Sequence, residues 1–207
     1  MALEKIQLDL VAPGQEILVA FFRDVSASAS ELLQKQLFAR NPAFEYAFID
    51  ATSIISRAHL LSAVFNAVNA AATDSLRTPN VHSEIVISLG PNNNISDAYR
   101  RWGIQAGKTS NLIVVKVLPT TSSESDPSSP IPSSPEQVWA HLKEHLQGAT
   151  ATPLTDDELS KTTDWAAKIR KYYKLNGVPA LDAIKDEVAK RKEMERMVIM
   201  AMALREL

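Results

Sequence analysis

Residues 119 to 135, PTTSSESDPSSPIPSSP, divide this 207-residue chain more firmly than any other stretch. Proline, serine and acidic residues dominate the segment, so it has almost no apolar surface to bury and cannot help build a core. Whatever folds must come from the residues before it and after it. The expected organisation is an α+β core over 1–118, a flexible surface insertion over 119–135, and a helical part over 136–207 that packs on the core and docks a partner.

Within the first part, KIQLDLV alternates Ile6, Leu8 and Leu10 against polar neighbours, APG breaks the chain, and EILVAFF resumes as a more fully apolar strand. Together these read as an antiparallel hairpin. SASASELLQKQLFAR opens on serines suited to capping and reads as a helix through Leu33 and Leu37, stopped by Asn41 and Pro42. FEYAFIDA follows as a short buried strand. A long helix runs from Ile54 to about Thr73, with Leu61, Val64, Phe65, Val68 and Ala71 along one side. His59, Ser62, Asn66, Asn69 and Thr73 form a polar, almost uncharged stripe on the other, predicted to face away from the core. EIVISL and NLIVVKVL are then read as strands. Between them, Ile95, Ala98, Tyr99 and Trp102 mark one side of a helix that starts within Asn92 to Asn94, with Gly103 placed as a left-handed cap. Intermingled strands and helices with a hairpin favour α+β over a purely parallel doubly wound fold. The expected form is a two-layer sandwich of a mixed or antiparallel sheet with helices on one face, plus a C-terminal helical segment.

Beyond the insertion, PEQVWAHLKEHLQ is an amphipathic helix through Val138, Leu142 and Leu146, and LTDDELSKTTDWAAKIRKYYKL supplies one or two short helices ended by Asn176 and Gly177. Pro179 suits the first turn of a last helix from about Ala180 to the C-terminus. Met197 to Leu204 is unbroken apolar sequence, so every side of that stretch is greasy, including whichever side its own core leaves uncovered. Exposed apolar surface of this kind marks partner sites. Met197, Val198, Met200, Ala201 and Leu204 are the predicted contact residues.

Twenty-two basic against twenty-four acidic residues leave a formal charge of -2, so no global field announces a nucleic acid or an anionic membrane. The lack of cysteine excludes disulfides, thiolate metal sites and cysteine nucleophiles. No apolar run is long enough to cross a bilayer and no cleavable hydrophobic segment opens the sequence, so a soluble intracellular protein with no membrane partner is expected. Two motifs tempt and fail. GKTS at Gly107 to Ser110 resembles the end of a phosphate-binding loop, but Trp102 stands where the first glycine belongs, and a helix here leads into a strand. HLKEH, His141 to His145, fits an inverted zinc-protease pattern with Glu144 as base, but no partner motif supplies a third ligand.

VHSEIVISLGPNNNISDAYRRWGI, followed by SNLIVVKV, resembles the PRPK-binding protein family, the CGI-type subunit of the KEOPS (EKC) complex, in its fungal form. The likeness is strongest from Val81 to Val117 and weaker back through HLLSAVFNAV and forward to KYYKL and the last helix. It implies a non-catalytic subunit without a cofactor that binds the complex's small atypical kinase/ATPase as a heterodimer and meets the other subunits indirectly. It further implies support for threonylcarbamoyl modification of tRNA, capture of the tRNA 3' CCA end, a link to telomere maintenance in fungal members, and residence in nucleus and cytoplasm. On that footing the apolar C-terminal helix is the kinase-docking candidate. Spare amides beside a neutral polar stripe suit single-stranded RNA, which makes Asn92, Asn93 and Asn94 with His59 and Asn66 a candidate CCA site, with Arg57, Arg77 or Lys108 as phosphate contacts. Asparagines that merely build their own turn are the bland alternative. Two other functions compete. One is a stand-alone RNA-binding module using Lys168, Arg170, Lys171 and Lys174 around Tyr172 and Tyr173, a cluster that reads equally as a solvated helix face with tyrosines tucked underneath; the other is a zinc hydrolase using His141 and His145.

Overall fold

The computed structural model describes residues 3–9, 15–118 and 131–206. The APG break and residues 119–130 of the proline-serine segment lie outside them. Strand β1 (Leu3–Ile6) runs antiparallel to β2 (Glu16–Arg23), pairing Leu3 with Ala20 and Ile6 with Ile17. β2 pairs antiparallel with β4 (Leu112–Leu118), and β4 with β3 (Ala47–Asp50), giving the order β1-β2-β4-β3. β5 (Thr150–Thr152) pairs with the far end of β2.

The two central strands dictate the layering. Ile17, Val19 and Phe21 point to one buried face and Leu18, Ala20 and Phe22 to the other, and β4 is buried along its whole length. Each side chain so removed from water contributes roughly 1.5–3 kcal/mol, and neither face can be left wet. Helices therefore cover both faces of the sheet. α1 (Ala27–Phe38) and α5 (Pro135–His145) supply Leu33, Val138 and Leu142 to one side. α2 (Arg57–Ala72), α3 (Val81–Ser88) and α4 (Ile95–Arg101) cover the other. That second layer is completed by α6 (Asp156–Thr162), a π-turn at Trp165–Ile169 running into α7 (Arg170–Tyr172), α8 (Pro179–Asp182) and α9 (Glu187–Ala203). The α+β class, the antiparallel sheet and the C-terminal helical segment stand as the sequence implies, but the expected two layers with helices on one face become three, because both faces of β2 and β4 are apolar. Lys116, inside the fully buried β4, reaches out to donate to the Glu45 carbonyl at 2.8 Å and lies 4.9 Å from the Tyr46 ring centre.

Four local expectations are corrected. EIVISL is helical: Asn80 caps α3 by accepting from the Ser83 amide at 2.8 Å, and the Glu84 carboxylate gathers the amides of Arg77 and Thr78. Because α3 is buried on nearly every side, it shows no wet face from which a helical period could be read. The long helix begins at Arg57, where Ser56 caps it, since Ala51–Ser53 already forms a separate 3-10 turn. The last helix is interrupted after Asp182 and restarted by Asp186, whose carboxylate takes the amides of Val188 and Ala189. Gly103 is not left-handed; that conformation falls at Gly107, with φ of 69°.

Gly103 answers instead to a close approach, because a Cβ there would meet the Tyr99 carbonyl oxygen at 2.7 Å. Its backbone also bridges to Ile49, tying the end of α4 to the edge strand. Gly103→Ala is expected to destabilise the fold by about 1–3 kcal/mol, the usual range for overpacking, as measured by urea denaturation.

Candidate partner-binding surfaces

Helix α9 divides its apolar residues between two duties. Met194, Val198 and Met202 recur at intervals of four and are buried in the core shared with the sheet. A groove of about 430 Å³ separates this side from α2, with Phe65 and Asn66 facing Ile199 and Ala203. Arg205, just past the helix, donates to the Ile87 carbonyl at 2.8 Å and to Ser88 Oγ at 3.3 Å, pinning the C-terminus to the end of α3. The opposite side stays in water: Met200 is 48% exposed and Leu204 57%. Of the five contact residues proposed from the sequence, these two are accessible and Met197 and Ala201 are half-buried. Val198 is withdrawn from the set, since it is wholly inside the chain's own core.

His59 is also corrected. It lies on the buried side of α2, because its ring finds polar partners inside. Nδ1 accepts from the Ile55 amide at 3.3 Å, so Nε2 carries the proton, 2.9 Å from the Tyr173 hydroxyl and 3.3 Å from the Leu89 carbonyl. Tyr173 in turn donates to that carbonyl. Three elements far apart in sequence meet there, immediately before the asparagine turn.

In the turn itself, each asparagine has a structural task. Asn94 caps α4 by accepting from the Asp97 amide at 3.0 Å, Asn92 accepts from the Asn94 amide at 3.1 Å, and Asn93 accepts from Arg77 at 2.7 Å. All three remain exposed, and the side-chain NH₂ groups of Asn93 and Asn94 make no hydrogen bond among the described residues. The other residues of the candidate RNA site are not gathered around them. Arg57 holds Glu4 through both terminal nitrogens, at 2.8 and 2.5 Å, and Asn66 faces the C-terminal helix. Lys108 is exposed on the loop between α4 and β4.

The competing motifs find structural employment. Gly107 of GKTS donates its amide to Ser30 Oγ at 3.0 Å. His141 stacks on Tyr46 with Nδ1 3.1 Å from its hydroxyl, while His145 Nδ1 bonds the His141 carbonyl at 2.9 Å. Among the described residues no cluster of three or more His, Asp or Glu is placed to hold a metal. In the basic cluster, Lys168 is ion-paired with Asp50 at 2.7 Å and Arg170 with Asp182 at 2.7 Å, and Tyr173 is buried. Sequence reasoning missed Arg205 as an anchor, and for Tyr173 it foresaw burial but not the bond to Leu89. An arginine closing an otherwise apolar run was the available signal for the first.

A family model described as "Kinase binding protein CGI-121" matches residues 22–206. The EKC/KEOPS complex subunit cgi121 of Neurospora crassa is 51% identical over 209 residues, covering 99% of each chain. The corresponding subunit of Gibberella zeae is 51% identical over 205 residues, again with 99% of each covered. That of Schizosaccharomyces pombe is 28% identical over 79% of this chain and 84% of its own.

The His59 network carries a pH dependence. Burial pushes His59 down to about 4, against the smaller opposing pull of the Leu89 carbonyl. With an ordinary value near 6.5 when unfolded, the unfolded chain binds a proton that the folded chain refuses. Stability is therefore full above about pH 6.5 and falls as the pH drops toward 4, by roughly 2 kcal/mol between pH 7 and 5 from this group. His82, likewise lowered by burial, acts in the same direction. Urea titrations at both pH values should record that loss, and His59→Gln should be less stable at pH 7 with a shallower pH dependence.

Proposed function

The chain belongs to the CGI-121 family of kinase-binding proteins, and from that premise we propose that it is the non-catalytic, kinase-binding subunit of the EKC/KEOPS complex. In this reading it docks the small atypical kinase/ATPase of the assembly, meets the other subunits through that kinase, and supports threonylcarbamoyladenosine modification of tRNA in nucleus and cytoplasm. The observation that carries the proposal is the 51% identity, over 99% of both chains, to a protein named as a subunit of that complex.

The outer side of α9 is the proposed docking surface. Its support is chemical: Met200 and Leu204 expose apolar side chains one helical turn apart, on a helix whose other side is already anchored by Met194, Val198 and Met202. Methionine adapts its shape to a partner at small cost. For tRNA, the proposal narrows to Asn93 and Asn94 with Arg77 alongside, because their free amide NH₂ groups can donate to base edges or ribose oxygens of an unpaired CCA end. A stand-alone RNA-binding module has less support, since Lys168 and Arg170 are engaged with Asp50 and Asp182.

Met200→Asp is expected to weaken calorimetric binding to the KEOPS kinase by at least about thirtyfold, the effect of removing a central anchor, with an unchanged melting temperature. Undiminished affinity would remove α9 from the interface. Asn93→Ala should lower tRNA affinity with little change in stability, because the hydrogen bond it accepts from Arg77 is exposed to water. Asn94→Ala should in addition cost about 1 kcal/mol in urea denaturation because it removes a helix cap.

A further inference from the structure

Phe38 ends α1 with 69% of its surface in water, and Ile95 opens α4 with 44% exposed. Between them lie two hollows of about 400 and 380 Å³ that share Leu37, Phe38, Ile95 and Tyr99, so they form one trough between α1 and α4. Pro42 and Pro79 wall one end, and Gln34 and Ile104 the other. None of its lining comes from α9 or from Asn92 to Asn94, and neither proposed surface accounts for it.

The charges around the trough select its occupant. Arg40, at one end, is exposed and makes no ion pair among the described residues. Arg100, at the other, is 74% exposed in its side chain and shares the single carboxylate of Asp97 with Arg101, which leaves a net positive charge there. Glu45 is the one acidic residue of the lining, and the ammonium of Lys116, which donates to the Glu45 backbone carbonyl at 2.8 Å, lies close enough to offset its charge. An apolar floor with an uncompensated cation at each end is complementary to an apolar side chain flanked by carboxylates.

We propose that the α1–α4 trough binds a short peptide segment of a protein partner in which one aromatic or aliphatic residue is flanked on both sides by Asp or Glu. The apolar residue seats against Phe38, Ile95 and Tyr99, and the carboxylates face Arg40 and Arg100. RNA fits less well, because the floor is built of aliphatic and proline surface and the Tyr99 hydroxyl is already donated to Ser83.

The test pans a randomised dodecapeptide phage library against the immobilised full chain, with Phe38→Ala protein in solution as competitor. Enriched peptides are synthesised and their affinities measured by fluorescence polarisation. The proposal expects a consensus of acidic residues around an apolar one, affinity reduced at least about tenfold by Phe38→Ala, and a severalfold loss with Arg40→Glu or Arg100→Glu. All three side chains are exposed, and melting temperatures verify that the variants fold. Four outcomes would overturn it: no peptide that distinguishes wild type from Phe38→Ala, a basic consensus, Phe38-dependent binding of a single-stranded oligoadenylate probe, or Phe38-dependent self-association in sedimentation.

Discussion

Strands β2 and β4 have no face that can meet water, and most of the molecule follows from that. A sheet whose central strands are apolar on both sides is stable only between two helical layers. One layer is closed by α1 and α5 through Leu33, Val138 and Leu142. The other is incomplete until the C-terminal third is added, because Leu159, Ile169, Tyr173, Leu181, Met194, Val198 and Met202 all belong to the same core as Ile17, Val19 and Phe21. The C-terminal helices are thus part of the structural core as well as the proposed binding surface.

Core packing explains how the last turns of α9, apolar all round from Met197, can still hold a defined position. Its inner stripe is fixed by packing, and its end is fixed by Arg205 on the Ile87 carbonyl and the Ser88 hydroxyl at the end of α3. Tyr173 and His59 bind the carbonyl of Leu89, two residues on from Ile87. The same short stretch, 87–89, therefore supports the C-terminal helix on one side and leads into the asparagine turn on the other. Satisfying those buried carbonyls is required of any stable fold. Here it also connects the proposed docking helix and the exposed Asn93 and Asn94 through residues 87–89.

What the sequence made legible was whatever depends on neighbours in the chain. Ser26 and Asn94 cap helices as their residue types and positions suggest, and the alternation of β1 against the apolar β2 set the hairpin. The asparagine run, the Val81–Val117 stretch and the apolar C-terminus were enough to point to the family. Features governed by distant partners were not legible. His59 looks like part of a polar stripe until Tyr173, 114 residues away, supplies a buried partner. α3 hides its helical period because Glu84 and His82 are buried along with Ile85, Val86 and Ile87. Val198 cannot be told from Met200 in an unbroken apolar run, and only the side on which α2 packs separates them.

The central claim is that α9 faces its own core with one side and a kinase with the other, and its methionines allow that to be read directly. Four of the chain's five methionines, Met194, Met197, Met200 and Met202, lie on this helix. Methyl NMR of the ¹³C-methionine-labelled protein, with a dissolved paramagnetic agent, reports which of these methyls meet solvent before and after the KEOPS kinase is added. The account predicts that the Met200 methyl is strongly relaxed in the free protein and shielded in the complex, while Met194 and Met202 are shielded in both. A Met200 methyl that stays equally accessible in a saturated complex would contradict it.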